Sequence, residues 1–175
     1  MGRILAVDLG TKRVGLALTD ELRMLACPYR TIPFRNQDRL VAELATIVEA
    51  QDVETLVIGL PIRTNGSEGP ECERAREMAG LIAAHLDGNA IRSSRSDGAS
   101  RSDDSDRSDD NRSYDTDRSY DTVPNIVLWD ESYSSRRAEA VVREHGKKRK
   151  NTKHAIDGIA ASFILRSYME RKRAN

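Results

Sequence analysis

Residues 3–17 read RILAVDLGTKRVGLA. Ile4–Val7 is a continuous aliphatic run, the pattern of a strand buried on both faces. Asp8 stands near its end, and Gly10-Thr11-Lys12 follows as a turn. RVGLALTD, from Arg13, reads as a second strand, and so short a link makes the pair an antiparallel hairpin. A carboxylate beside a core strand is costly unless it is paired, hydrogen-bonded or bound to a metal ion. Asp8 is therefore the first candidate functional residue.

The elements that follow set the fold class. A third strand lies within MLACPYRTI. In NQDRLVAELATIVEAQ, the spacing of Leu40, Val41, Leu44, Ile47 and Val48 predicts an amphipathic helix. ETLVIGLP is a buried strand that stops at Pro61, and RTNGSEGP is a loop of turn formers. Ala75, Met78, Ala79 and Ile82 mark a helix from Glu71 to about Leu86. NIVLWDE is another buried strand, and SSRRAEAVVREHG is a short helix stopped at Gly146. The last helix is HAIDGIAASFILRSYMERKR, with Ile156, Ile159, Ala160, Phe163 and Ile164 expected inward. A hairpin start followed by βαβ crossovers predicts an α/β protein of three layers, a mixed sheet with helices on both faces.

The chain of 175 residues suits one domain, 1–175. Only 38% of it is hydrophobic, while 32% is charged, and its mean hydropathy is −0.60. The segment 87–122 accounts for the low value. It is built from Arg, Ser, Asp, Gly, Asn and Tyr, and NRSYDT is followed at once by DRSYDT. Such a composition cannot bury enough apolar surface to offset backbone entropy, so 87–122 is expected to be a disordered, low-complexity insertion. As a surface-loop expansion it costs little, because closure entropy grows slowly with length. That reading is preferred to an adhesive arm. Basic and acidic residues balance at 28 each, so net charge selects no partner. Cys27 and Cys72 stand apart with no secretory signal, as in a reduced cytoplasmic protein. No run approaches the ~20 apolar residues of a membrane span.

Three acids invite one explanation. Asp8 ends the first strand, Asp130 and Glu131 end another, and Asp157 is placed in the first turn of the final helix. Strand C-termini and helix N-termini meet at one edge of an open α/β sheet, where ligands bind. Asp8, Glu131 and Asp157 gathered there would form an all-oxygen cluster suited to Mg²⁺ or Mn²⁺. Two such ions can activate water and stabilise a leaving oxygen in phosphodiester cleavage. Taken singly, each acid has a plainer reading. Asp157 would favour a helix dipole, Asp130 would cap or turn, and Asp8 would close the hairpin.

The motifs also occur together in a known family. AVDLGTKRVGLA resembles the DxGxKxxGxA opening of the YqgF family, small bacterial proteins described as pre-16S rRNA nucleases or Holliday junction resolvase-like proteins. VIGLPIRTNGSEGP is similar to its GLPxxxxGxEGP block, VLWDE to its strand ending in DER, and KHAIDGIAASFILRSY to its closing block. The resemblance spans nearly the whole chain outside the insertion. It implies a ribonuclease H-like fold with a five-stranded mixed sheet. It also implies a metal-dependent endonuclease processing the 5′ end of precursor 16S rRNA in ribosome biogenesis, with precursor particles as partners. Asp8, Glu131 and Asp157 become the catalytic metal ligands, with Asp130 the alternative to Glu131. Lys12, Arg74 and Arg76 become candidate phosphate contacts, and the basic run Lys147, Lys148, Arg149, Lys150 and Lys153 a backbone clamp. Asn65 and Gly66 shape the loop beside the site, while Gly59 and Pro61 are assigned to the strand-to-loop backbone. Ser132 replaces the arginine of DER, which puts full activity in question.

Competing readings remain open. An ATP-binding protein of the actin and sugar-kinase type shares the DxGT loop, but it clamps nucleotide between two such domains. A non-catalytic RNA-binding or ribosome-assembly module, or a resolvase-like DNA nuclease, would use the same fold.

Overall fold

The computed structural model describes residues 2–63, 65–96, 123–131 and 153–174. Strands β1 (Arg3–Leu9), β2 (Arg13–Thr19) and β3 (Ala26–Pro33) lead into helix α1 (Gln37–Ala50). Then come β4 (Val53–Leu60), helix α2 (Pro70–Ser96), β5 (Asn125–Asp130) and helix α3 (Lys153–Arg173). The sheet runs β3-β2-β1-β4-β5. β1 and β2 pair antiparallel, as the short turn requires, and so do β2 and β3. β4 lies parallel to both β1 and β5. This is the mixed five-stranded sheet expected.

The alternation of β1 splits its side chains between two cores. Leu5 and Val7 join Leu16, Leu56 and Ile58 under α1 and α2, which contribute Leu40, Leu44, Met78 and Ile82. Ile4 and Ala6 face the other way, with Ala17 and Val57, against Ala161, Ile164, Leu165 and Tyr168 of α3. The first core is made of large aliphatic groups, each stabilising by about 1.5–3 kcal/mol. The second includes Ala6 and Ala17 on the central strands, small side chains that let α3 pack close to the sheet. Asn36 starts α1, its side chain accepting from Arg39 N at 2.9 Å, a bond that satisfies one free helix-end donor.

Two expected boundaries shift. α2 runs on to Ser96, past the apolar pattern that ends at Leu86; residues 97–122 of the expected insertion lie outside the described residues. The inward face of α3 is Ala161, Ile164, Leu165, Tyr168 and Met169, while Ile159, Ala160 and Phe163 are only partly buried. The short helix expected over 134–146 also lies outside the described residues.

Candidate active site

The two-residue period of β1 puts Asp8 on the face of Ile4 and Ala6, under α3. Across the hairpin, Asp8 is paired with Gly15. On the other side, Gly59 stands one step beyond the Val7–Ile58 pair. Asp8 is thus flanked in the sheet by two residues without side chains, and each gap is filled by another element. A Cβ on Gly15 would overlap the carbonyl of Asp157, with its Cα at 3.3 Å. A Cβ on Gly59 would overlap the carboxyl group of Glu131 and come within 2.8 Å of Ile164 Cδ1. The missing methyl groups let Asp157 of α3 close over one side of Asp8 and Glu131 over the other.

Glu131 follows β5, and its amide donates to Leu60 O at 3.1 Å, carrying the ladder past the strand end. Val127 and Trp129 pack on the α3 side of the sheet, whereas Ile126 packs with the other core. The same alternation sends Glu131 toward α3 and Asp130 away from it. Trp129 donates from Nε1 to Ser167 Oγ at 3.1 Å and meets the Tyr168 ring edge-on at 5.2 Å. These contacts fix the end of β5 against α3. Asp157 precedes Ala161, Leu165 and Tyr168 on the inward stripe of α3 by whole helical turns. The first turn of α3 carries no acid. Asp157 therefore sits deeper than expected and belongs to the buried stripe rather than the helix end.

The electrostatics follow from this crowding. Burial and the nearby Asp157 charge push the Asp8 carboxyl up to about 6. Burial, then Asp8, then Asp130 push Glu131 up to about 8. In both cases burial and neighbouring negative charge disfavour the ionised form. Asp157 is bound by Arg13, whose Nε donates to Asp157 Oδ2 at 2.7 Å. Among the described residues no three His, Cys, Asp or Glu side chains are arranged ready to hold a metal ion. The donor chemistry nevertheless fits a hard divalent cation. It consists of carboxylate oxygens only, two of them coupled by mutual repulsion in a partly dehydrated niche.

The basic candidates separate. Lys12 is exposed on the turn beside Asp8, and its carbonyl accepts from Phe34 N at 2.9 Å. Arg74 instead donates to Gly10 O at 2.9 Å and stacks on the Phe34 ring. Together these bonds clamp the Gly10–Lys12 turn from α2 and from the end of β3. Arg76 holds both carboxylate oxygens of Glu68, at 2.7 and 2.5 Å. Arg74 and Arg76 thus have partners within the protein. In the Asn65–Gly66 loop, Gly66 takes a φ of 79° and Asn65 Oδ1 accepts from Ser67 N at 3.0 Å. Lys147, Lys148, Arg149 and Lys150 lie outside the described residues, as does the side chain of Lys153. Sequence reasoning missed Arg13; the signal available was its shared parity with Gly15 and Ala17 on β2.

The chain is similar to known proteins over nearly its whole length. The family model RuvX, described as a Holliday junction resolvase, matches residues 2–94 and 100–171. A protein of Syntrophus aciditrophicus is 30% identical over 96% of this chain and 88% of its own length. One of Lachnospira eligens is 30% identical over 98% of this chain and 99% of its own. Each carries the name "Putative pre-16S rRNA nuclease". Among solved structures, T. thermophilus RuvC in complex with a Holliday junction substrate matches with a TM-score of 0.51. It is 10% identical, covering 100% of this chain and 98% of that one. That likeness concerns the fold. Among the described residues no helix is long and apolar enough to cross a membrane.

Proposed function

The chain belongs to the RuvX family and is a nuclease, and on that premise we propose that it cuts precursor 16S rRNA at the site around Asp8. The observation that carries the reading is the glycine-framed convergence of Glu131 and Asp157 on Asp8. A fold gains nothing by crowding acids into a dehydrated niche, whereas a divalent-cation site requires it.

Asp8 and Glu131 are the ligands for Mg²⁺ or Mn²⁺, and Asp157 completes the set. A cation bound there supplies Lewis-acid stabilisation of charge at the scissile phosphate and a more acidic attacking water. The chain's own residues do the rest. Gly15 and Gly59 keep the carboxylates converged. Arg74, through Gly10, and Phe34, through Lys12, hold the turn that offers the Lys12 ammonium to a neighbouring phosphate. The basic run 147–150 is proposed to extend that contact along the RNA backbone, in a sequence-independent way.

The test is cleavage of a precursor 16S rRNA fragment and of four-way junction DNA with Mn²⁺, wild type beside Asp8→Asn, Glu131→Gln and Asp157→Asn. Wild type is expected to cut the RNA, and each variant to lose more than about 100-fold, beyond the cost of losing an outer contact. Junction cutting alone would move the substrate to branched DNA, as the family's description favours. Undiminished cutting by Asp8→Asn would remove the acids from the chemistry.

A further inference from the structure

Among the described residues, Arg13 makes a close contact to Asp157 that the cation-binding reading leaves unused. It starts β2 directly after Lys12, on the parity of Gly15, so its side chain rises on the α3 side of the sheet. Its Nε donates to Asp157 Oδ2 at 2.7 Å, with the two side chains 35% and 24% exposed. A guanidinium stays protonated at any physiological pH, so this counter-charge is permanent. The bond uses Nε. The two terminal nitrogens are the fork that binds a phosphate most strongly.

We propose that Arg13 is a positioning residue that withholds Asp157 from the cation site until a substrate phosphate draws its guanidinium away. The inference rests on the reading of Asp8, Glu131 and Asp157 as a divalent-cation site. Arg13 engages one of the two oxygens of Asp157 at 2.7 Å, and its fixed positive charge repels a dication approaching the same carboxylate. A phosphodiester entering beside Lys12 meets Arg13 next in the chain and offers it a second anionic partner. Exchange of that partner then frees Asp157 at the moment the phosphate arrives. Cation affinity and substrate binding become linked, each raising the other by the same factor.

The experiment is calorimetric titration of the full chain with Mn²⁺, with and without a short phosphorothioate RNA that resists cleavage. Wild type, Arg13→Gln, Arg13→Lys and Asp157→Asn are compared, with thermal melts confirming the fold. Arg13→Gln is expected to bind Mn²⁺ about tenfold or more tightly than wild type without RNA, a change of about 1.4 kcal/mol. RNA should tighten Mn²⁺ binding in wild type and leave Arg13→Gln unchanged. Arg13→Lys, which keeps the charge and loses the fork, should bind Mn²⁺ as weakly as wild type while losing most of the RNA effect. Equal affinities in wild type and Arg13→Gln would overturn the role of Arg13 and leave the cation site standing. Weaker binding in Arg13→Gln would show that Arg13 orients Asp157 for the cation instead of withholding it. Absence of Mn²⁺ binding in every protein would remove the cation site and this inference together.

Discussion

The two ends of β1 hold the same kinds of residue and treat them in opposite ways. At its start, Gly2 N donates to Glu54 Oε2 at 2.8 Å, and Arg23 Nη2 reaches the same oxygen at 2.6 Å. Arg23 also donates to Gly2 O, and Arg3 pairs with Glu21 at 3.0 Å. The Gly2 amide and the Arg23 charge hold the Glu54 carboxyl below its usual range. At the far end, Asp8 and Glu131 are raised to about 6 and about 8. One end holds its carboxylate by hydrogen bonds and contributes modestly to stability. At the other, burial and neighbouring acids work against the charged forms. The difference lies in what faces the shifted acids: the Gly2 amide and the Arg23 guanidinium for Glu54, burial and other acids for Asp8 and Glu131.

The largest way to test that contrast is pH. Glu131 and Asp8 bind protons more tightly in the folded chain than in the unfolded one. Between the ordinary carboxylate range and about pH 8 the folded state therefore holds more protons, and stability falls as pH rises. In EDTA the contribution of these two acids to the unfolding free energy is expected to be fully present below about pH 4. It should drop by on the order of 3 kcal/mol by pH 8.5, after allowance for partial solvation, each pKa unit being about 1.4 kcal/mol. Glu131→Gln should flatten most of the slope and raise the melting temperature at pH 8.5. Saturating Mn²⁺ should remove the slope in wild type. Urea melts at four pH values, with EDTA or Mn²⁺, check all three. A wild-type slope in EDTA no steeper than that of Glu131→Gln would mean that the upper end is as well satisfied as the lower.

The two glycines divide the contrast more finely. The atoms facing Gly15 are the backbone of Asp157, and those facing Gly59 are mainly the end of a flexible side chain. Gly15→Ala must push α3 off the sheet, at a cost of about 2 kcal/mol. Gly59→Ala is relieved when Glu131 swings aside, so its cost should stay within about 1 kcal/mol, while cleavage drops at least about tenfold. Measuring melting temperature and turnover for both separates the packing role from the site role. Equal effects of the two on turnover at equal stability would remove that distinction.

These glycines also mark where sequence reading stops. The hairpin, the two-layer helix cover and the faces of α1 and α2 were legible, because their apolar residues recur at a period that only one geometry satisfies. The inward face of α3 was not. IAASFIL is apolar nearly throughout, so its spacing selects no single stripe, and the structure places Ala161, Ile164 and Leu165 inward. Asp8 and Glu131 stood out in the sequence as acids at strand ends, whereas Asp157 was expected in the first turn of the last helix and lies beyond it. The choice of Glu131 over Asp130 followed from a family pattern and acquires its physical reason only from the packing of Val127 and Trp129. Gly59 was assigned to backbone conformation, and Gly15 drew no attention. A sequence shows that a side chain is missing, but the group that fills its place comes from a distant segment. The family resemblance makes Arg74 a candidate phosphate contact, and its spacing fits a solvated helix face equally well. Its bond to Gly10 O joins residues far apart in the chain.

The smallest expected effect lies at the lower end of β1. Glu54 is exposed, so its pair with Arg23 is screened by water, and such a pair contributes about 0.2–1 kcal/mol. Glu54→Gln removes the charge and keeps an acceptor for the Gly2 amide. Its cost is expected near about 0.5 kcal/mol at pH 7. Because Glu54 binds protons less tightly when folded, its contribution is present above the ordinary carboxylate range and lost as pH falls through it. Its pH dependence therefore has the opposite sign to that of Glu131. Urea melts of Glu54→Gln at pH 3 and pH 7 should converge with wild type at the acid end and separate slightly at neutral pH. A loss above about 2 kcal/mol would put this pair outside the range of exposed ion pairs. The lower end would then be a structural anchor, and the contrast with Asp8 would be one of strength as well as sign.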